Sequence, residues 1–424
     1  MILLKPLIKA DDFCDYFVYA EIVSFFCVKK EMFYMLTSMA LIFLLGLMLG
    51  FIFKKIHLPS LIGMLLTGII LGPYMLNLLD NSLLGISADL RQLALIIILT
   101  RAGLSLDINA LKKVGRPAIL MCFVPAAFEI LAVTLIAPKL LGISYIEAVV
   151  MGSVLGAVSP AVIVPRMIKL IDEGYGTKQG IPQLIMAGAS VDDVFVIVVF
   201  TSFVALANGG EIHASNFVNI PISIITGILA GLLFGYLLIK FFRQFHMRDS
   251  VKVIIMLSLS FLLVAAENCL KGIFPFSGLL AIMSMCAMIY NKYDILAKRL
   301  SAKFTKLWVA AEICLFVLVG ATVDLKYAVS AGLSALAVIF IALLMRVVGV
   351  WVCLIGTKLN LKERLFCMVS YIAKATVQAA IGSIPLSMGL ACGKIVLTVA
   401  VLAIIITAPL GAFGIDCLYK KAFK

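Results

Sequence analysis

Thirteen apolar runs follow one another along this chain, and the basic residues between them fall almost entirely on alternate connections. The runs cover approximately 33–53, 60–79, 90–106, 117–138, 146–168, 181–206, 219–242, 252–267, 276–290, 306–323, 331–355, 363–388 and 393–417. Most approach or exceed the ~20 residues that a helix needs to cross a bilayer. Connections after odd-numbered runs carry 23 Lys and Arg, from Lys54 and Lys55 through to Lys424. Those after even-numbered runs carry five: Arg91, Lys139, Lys271, Lys326 and Lys394. Cytoplasmic connections hold the basic excess in membrane proteins. The count therefore predicts a cytoplasmic carboxyl end and an external start to the first run, and it accounts for the net charge of +13 without any nucleic acid. A missed or invented run would have scrambled the alternation. Hydrophobic residues make up 63% of the chain and charged ones 13%, against about 45–50% and about 25% in soluble proteins. The fold class predicted is an all-α polytopic membrane protein of about 13 transmembrane helices, with no separate soluble domain.

Residues 1–31 fit this scheme least well. FCDYFVYAEIVSFFCV (13–28) is apolar and aromatic but short, and it carries Asp15 and Glu21. It lacks the small-residue cleavage site of a signal peptide. It reads as an interfacial helix, as an extra weak span, or as sequence ahead of a start at Met32; residues 32–424 are the transmembrane domain. The ten cysteines are scattered without a CxxC, and the three histidines lie between apolar runs. No metal-ligand spacing, nucleophile–base set or Gly-rich phosphate loop is present, so neither an enzyme nor a cofactor is expected.

A few polar residues break the apolar pattern, and they carry the functional signal. Asp192 and Asp193 stand side by side in the sixth run, AGASVDDVFVIVVFT (187–201). An ionisable group near a bilayer centre costs roughly 2.5–3.5 kcal/mol or more, and such residues mark ion or proton pathways. Glu129, Arg346 and Lys374 are the other ionisable groups at mid-span. Arg101 and Glu312 lie nearer the cytoplasmic edge, where a snorkelling or paired role is the default. The fifth run reads MGSVLGAVSPAVIVP (151–165). Pro160 has no N–H to donate and its ring clashes with the preceding turn, so Ser159–Pro160 predicts an interruption at membrane depth. Irregular backbone survives there only inside protein or beside a wet cavity. The twelfth run, YIAKATVQAAIGSIP (371–385), is a second polar, breakable span.

These features repeat. GLSLD (103–107) and GATVD (320–324) end the third and tenth runs, 217 positions apart. The same offset carries Ser60 onto Ser277, Glu129 onto Arg346 and Ser159 onto Thr376. Runs 1–6 and 8–13 would then be two units displaced by seven spans, an odd number that reverses their orientation. Inverted repeats with broken helices at matching positions belong to secondary transporters, with the site near the midplane. The offset brings Glu129 and Arg346 together as an ion pair, structural or proton-coupled. Asp192 and Asp193 can face a cavity lined by the two breaks, where carboxylate, hydroxyl and freed carbonyl oxygens suit a hard cation. A carboxylate in such a place can hold either a cation or a proton, and that competition is itself a mechanism of exchange.

The ASVDDV run, the Ser–Pro in the preceding span, Glu129 and Arg346 at mid-membrane, and KATVQAA in the twelfth span together resemble the monovalent cation/proton antiporter superfamily. Within it the chain is similar to the double-aspartate branch, and most of all to sodium/proton exchangers of the NHA type, from about residue 33 to 417. The resemblance implies a six-helix core, here about 117–206 and 331–417, that moves against a scaffold of the remaining helices within a homodimer in the plasma membrane. It implies that Asp193 is the principal carrier of Na⁺ (or Li⁺) and H⁺, assisted by Asp192. Ser159 and Thr376 complete the site. Pro160 makes one break, and Lys374 stabilises half-helix ends. Many electrogenic members have a lysine at the Arg346 position, paired with the first aspartate. Here arginine stands there with Glu129 available as a partner, which would leave Asp192 without the lysine of a two-proton exchange; the other reading is that Lys374 and Arg346 simply neutralise the two acids. The expected function is exchange of Na⁺ or Li⁺ for H⁺ by alternating access. K⁺/H⁺ exchange through the same site is one alternative. A sodium-coupled symporter of organic solutes is another, against which the paired aspartates argue, since they would repel a bound anion.

Overall fold

The computed structural model describes residues 35–56, 58–106, 115–207, 214–270 and 274–423; the segment 13–28 lies outside them. Among the described residues there are helices and no strands. In chain order they are α1 (Met35–Lys55), α2 (Ser60–Leu71), α3 (Asn81–Gly85), α4 (Ser87–Gly103), α5 (Arg116–Met121), α6 (Val124–Leu141), α7 (Tyr145–Gly156), α8 (Pro160–Asp172) and α9 (Ile181–Ala207). There follow α10 (Ala214–Gln244), α11 (Asp249–Leu270), α12 (Gly278–Lys292), α13 (Asp294–Ala321), α14 (Leu325–Cys353), α15 (Leu361–Ser370), α16 (Thr376–Ile381), α17 (Ile384–Ser387) and α18 (Gly393–Ala422). Each apolar run contains helix among the described residues. Eight helices are long and apolar enough to cross a membrane by length and composition, taking α5 and α6 together, while α2, α7 and α12 are shorter apolar helices.

Two groups of helices organise the molecule. α6 packs on α7 and α14, α7 on α9, and α15 on α18. In the other group α1 and α13 pack on α2, α13 and α12 on α4, and α12 on α10 and α11. Glycine permits one of these crossings: a Cβ at Gly68 would overlap the carbonyl oxygen of Val317, and one at Gly320 that of Leu65, so α2 and α13 touch backbone to backbone. Leu36, Leu44, Leu47 and Phe51 on α1, and Leu229, Leu233 and Tyr236 on α10, are exposed. Large side chains exposed in such rows suit lipid rather than water.

The fifth and twelfth runs are both interrupted. α7 ends at Gly156, Ala157 and Ser159 take extended backbone, and α8 restarts with Pro160 in its first turn. α15 ends at Ser370 and α16 starts at Thr376, with Ala375 far from helical geometry. Both interrupted spans open with the same reciprocal cap. Glu147 N donates to Ser144 Oγ (3.3 Å) and Ser144 N to Glu147 Oε2 (2.8 Å). Glu363 N donates to Asn360 Oδ1 (2.9 Å) and Asn360 N to Glu363 Oε2 (2.8 Å). The fourth run, expected to be continuous, is divided at Cys122–Phe123. The proline placed to start α6, Pro125, favours the first turn of a new helix over the interior of an old one.

Candidate functional site

The two interruptions cross. Ser159 N donates to Ala373 O at 2.8 Å, joining the extended stretch of one span to that of the other. Breaking a helix frees backbone groups that no water can satisfy inside a membrane, and here polar side chains take them up. Gln378 Nε2 donates to Ala157 O (2.8 Å), and Gln378 Oε1 accepts from Ala375 N (2.8 Å). Lys374 Nζ donates to Leu155 O (2.5 Å), and Lys374 N donates to Thr407 Oγ1 on α18 (3.0 Å). Arg346 Nε donates to Tyr371 O (2.7 Å), and its Nη1 reaches Gly156 O. Val158 N donates to Asp192 Oδ2 at 2.9 Å.

The ionisable side chains share one network with these contacts. Arg346 Nη1 pairs with Glu129 Oε2 at 2.9 Å and its Nη2 with Asp192 Oδ2 at 2.7 Å. Lys374 Nζ lies 2.7 Å from the other Glu129 oxygen. Asp192 therefore has a basic partner in Arg346, contrary to the reading in which Glu129 alone takes up the arginine. Lys374 shares the Glu129 carboxylate, so a guanidinium with five N–H donors can serve Glu129 and Asp192 together. Glu129, Arg346 and Asp192 are 0% exposed, Lys374 1% and Asp193 6%. The buried group comprises three carboxylates and two cations. Fully ionised, it is one positive charge short.

Asp193 is where that deficit lies. Its Oδ1 is buried with no hydrogen-bond partner, and so are Asp192 Oδ1, Ser159 Oγ and Thr376 Oγ1. Ser159 and Thr376 flank the crossing of the interruptions, and Asp192 is bound to the residue before Ser159. Four uncommitted oxygens, two of them on carboxylates, match what a hard monovalent cation accepts as ligands. Among the described residues no group of three or more His, Cys, Asp or Glu could hold a resident metal ion.

Other side chains at this centre carried no assigned role in the sequence. Gln378 stood out as a polar residue within an apolar span. Thr407 likewise stood out in the otherwise apolar thirteenth run, and Tyr371 gave no signal. The Tyr371 ring lies 5.6 Å from the Arg346 guanidinium carbon, and its hydroxyl occupies the space that a side chain at Gly188 would need. Arg101 and Glu312, near the edge, stand within electrostatic reach of each other and outside this network.

A family model described as "Sodium/hydrogen exchanger, transmembrane" matches residues 39–421. The chain belongs to the sodium/hydrogen exchanger family. It is 33% identical to the mouse sodium/hydrogen exchanger 9B2 over 383 residues, spanning 87% of this chain and 69% of the relative. The human protein of that name is 34% identical over the same length and 70% covered. In fold the chain matches the structure of the sodium proton antiporter MjNhaP1 from Methanocaldococcus jannaschii at pH 8. The TM-score is 0.75 over 90% of this chain and 97% of that one, at 22% identity.

Proposed function

We propose that the protein exchanges cytoplasmic Na⁺, or Li⁺, for external H⁺ by alternating access, with cation and proton competing for Asp193 beside Asp192. The observation that carries this reading is the charge count of the buried network. One Na⁺ or one proton at Asp193 completes it, and both together would overfill it. Ser159 Oγ and Thr376 Oγ1 supply the remaining oxygens to the cation. Glu129, Arg346 and Lys374 hold the two interruptions in register and screen Asp192. The paired carboxylates support membership of the double-aspartate branch.

Arginine is not deprotonated in proteins, so Asp192 stays neutralised whatever the cargo. Asp193 alone then alternates between Na⁺ and H⁺, which gives one proton per cation. The basic asymmetry of the connections supports a cytoplasmic carboxyl end in the plasma membrane. The hydrogen-bonded crossing supports a core of about 117–206 and 331–417 that moves as a unit, and the family resemblance suggests a homodimer around it.

The test is proton flux in proteoliposomes driven by Li⁺, Na⁺ or K⁺. Na⁺ and Li⁺ drive it, and Asp193→Asn abolishes it while the protein still elutes as a folded species. Full exchange by Asp193→Asn would refute the assignment. Flux driven by K⁺ in preference to Na⁺ would replace the cation.

A further inference from the structure

A cavity of about 640 Å³ lies between α4, the end of α9, α11 and the turns around α17, with Arg91, Leu95, Phe200, Asn268, Phe274 and Ser383 on its wall. The charge asymmetry places this face outside the cell. Arg91 was counted above as a residue of an external connection, but it lies within α4 and is only 5% exposed. Its Nη1 is buried with no hydrogen-bond partner, and no carboxylate among the described residues pairs with it. The acid on the same wall, Glu267, is engaged at 2.9 Å by Gly278 N. Ser383, on the same cavity wall and 2% exposed, also has a buried oxygen without a partner. A buried cation needs a counter-charge. One beside the approach to a cation site would otherwise repel the cargo. The cavity has the size of pockets that hold small organic ligands, and it has their mix of apolar wall and a few polar groups.

We infer that this cavity binds a small amphipathic organic anion. Its carboxylate or comparable acidic head pairs with Arg91 and takes the Ser383 hydroxyl, and its apolar body lies against Leu95, Phe200 and Phe274. Phe200 follows Asp193 by seven residues on α9, about 10 Å along a helix axis. An occupant therefore blocks the external approach to the ion site and slows exchange. The binding itself does not rest on the antiport reading; the inhibition does.

The test is calorimetric titration of the purified protein in zwitterionic nanodiscs with 4-phenylbutyrate and with its neutral isostere, 4-phenylbutyramide. The carboxylate binds saturably at one site, and the amide binds about tenfold or more weakly, as the loss of one charge-assisted contact implies. Arg91→Gln lowers carboxylate affinity about tenfold or more, and Arg91→Lys restores part of it. Ser383→Phe, which fills the cavity from another residue of its wall, also removes binding and keeps the question answerable if Arg91→Gln does not fold. Equal affinity for carboxylate and amide, or unchanged affinity in Arg91→Gln, would overturn the proposal. Repeating the titration with phosphatidylglycerol in the nanodisc identifies the source of the anion: competition assigns the head to lipid, and unchanged affinity assigns it to a soluble acid. In proteoliposomes, saturating 4-phenylbutyrate slows Na⁺-driven proton flux of the wild type and leaves Arg91→Gln unaffected. Binding without any exchange in the wild type would sink the antiport reading and leave the anion site standing.

Discussion

Replacing Arg346 by Met tests whether the buried charges act as one unit. The guanidinium contacts Asp192, Glu129 and the carbonyls of Gly156 and Tyr371. Without it Glu129 keeps Lys374, but Asp192 becomes a fully buried carboxylate held only by the amide of Val158. Removing one member of a buried ion pair costs about 3–5 kcal/mol, chiefly through the charge left behind. With an unfolding entropy of about 2.1 cal/mol/K per residue, a chain of this length loses roughly 1 °C per 0.9 kcal/mol, so Arg346→Met should melt about 3–6 °C lower. Asp192→Asn alone removes a charge-assisted hydrogen bond and costs about 1.5–3 kcal/mol. In the double variant no carboxylate is stranded, so its loss should fall short of the sum by about 1–3 kcal/mol. Thermal unfolding of the four proteins in one detergent, followed by tryptophan fluorescence, measures this directly. A double variant whose loss equals the sum of the singles would show that Arg346 and Asp192 do not depend on each other, and the shared network would be wrong.

Further outcomes follow from the same contacts. Arg346→Lys supplies Asp192 with a partner that can release its proton, so exchange, which the proposed one-proton stoichiometry makes insensitive to an imposed membrane potential in the wild type, should become sensitive to it in proteoliposomes. Gln378→Leu leaves Ala157 O and Ala375 N without their partner, at about 1–3 kcal/mol for each buried group; a thermal midpoint within error of the wild type would count against that role. On the proposed competition of cation and proton for one carboxylate, the KM for Na⁺ should rise about tenfold for each unit that pH falls below the point where Asp193 protonates, at constant kcat. A fall in kcat at constant KM would mean that the proton binds elsewhere.

The ease of reading this centre from sequence differed residue by residue. Proline speaks for itself: Ser159–Pro160 announced its interruption because no neighbour can restore the missing donor. Pro125 carried the same signal for the division of the fourth run and was passed over. Glu129 and Arg346 could be paired because an internal repeat converts a sequence offset into proximity. That Arg346 would serve Asp192 as well as Glu129 was one of two readings open to the sequence, which could not choose between them. The choice depends on Lys374 reaching across the crossing to share Glu129, a fact of tertiary approach that no spacing records. Gln378 and Thr407 were illegible as partners for the same reason, since what they bond is backbone released by another span. Arg91 misled because a basic residue near the start of a run looks the same whether it faces water or the interior.

The hydrogen bond from Ser159 N to Ala373 O has a mechanical consequence. With Val158 bound to Asp192, Gln378 to Ala157 and Lys374 to Leu155, it stitches the two interruptions into one stiff part. Sliding either past the other would rupture several polar bonds at once with nothing to replace them. Where α9 faces α4 and α12, by contrast, the lining is apolar but for Ser277: Leu99, Ile197, Val198, Leu279, Leu280 and Met283. Such a seam resists separation but has no directional bonds to hold its register, so it can slip as a bearing does. Strain applied to this molecule should therefore be relieved along that seam, and the ion site should travel intact rather than be taken apart and rebuilt in each cycle.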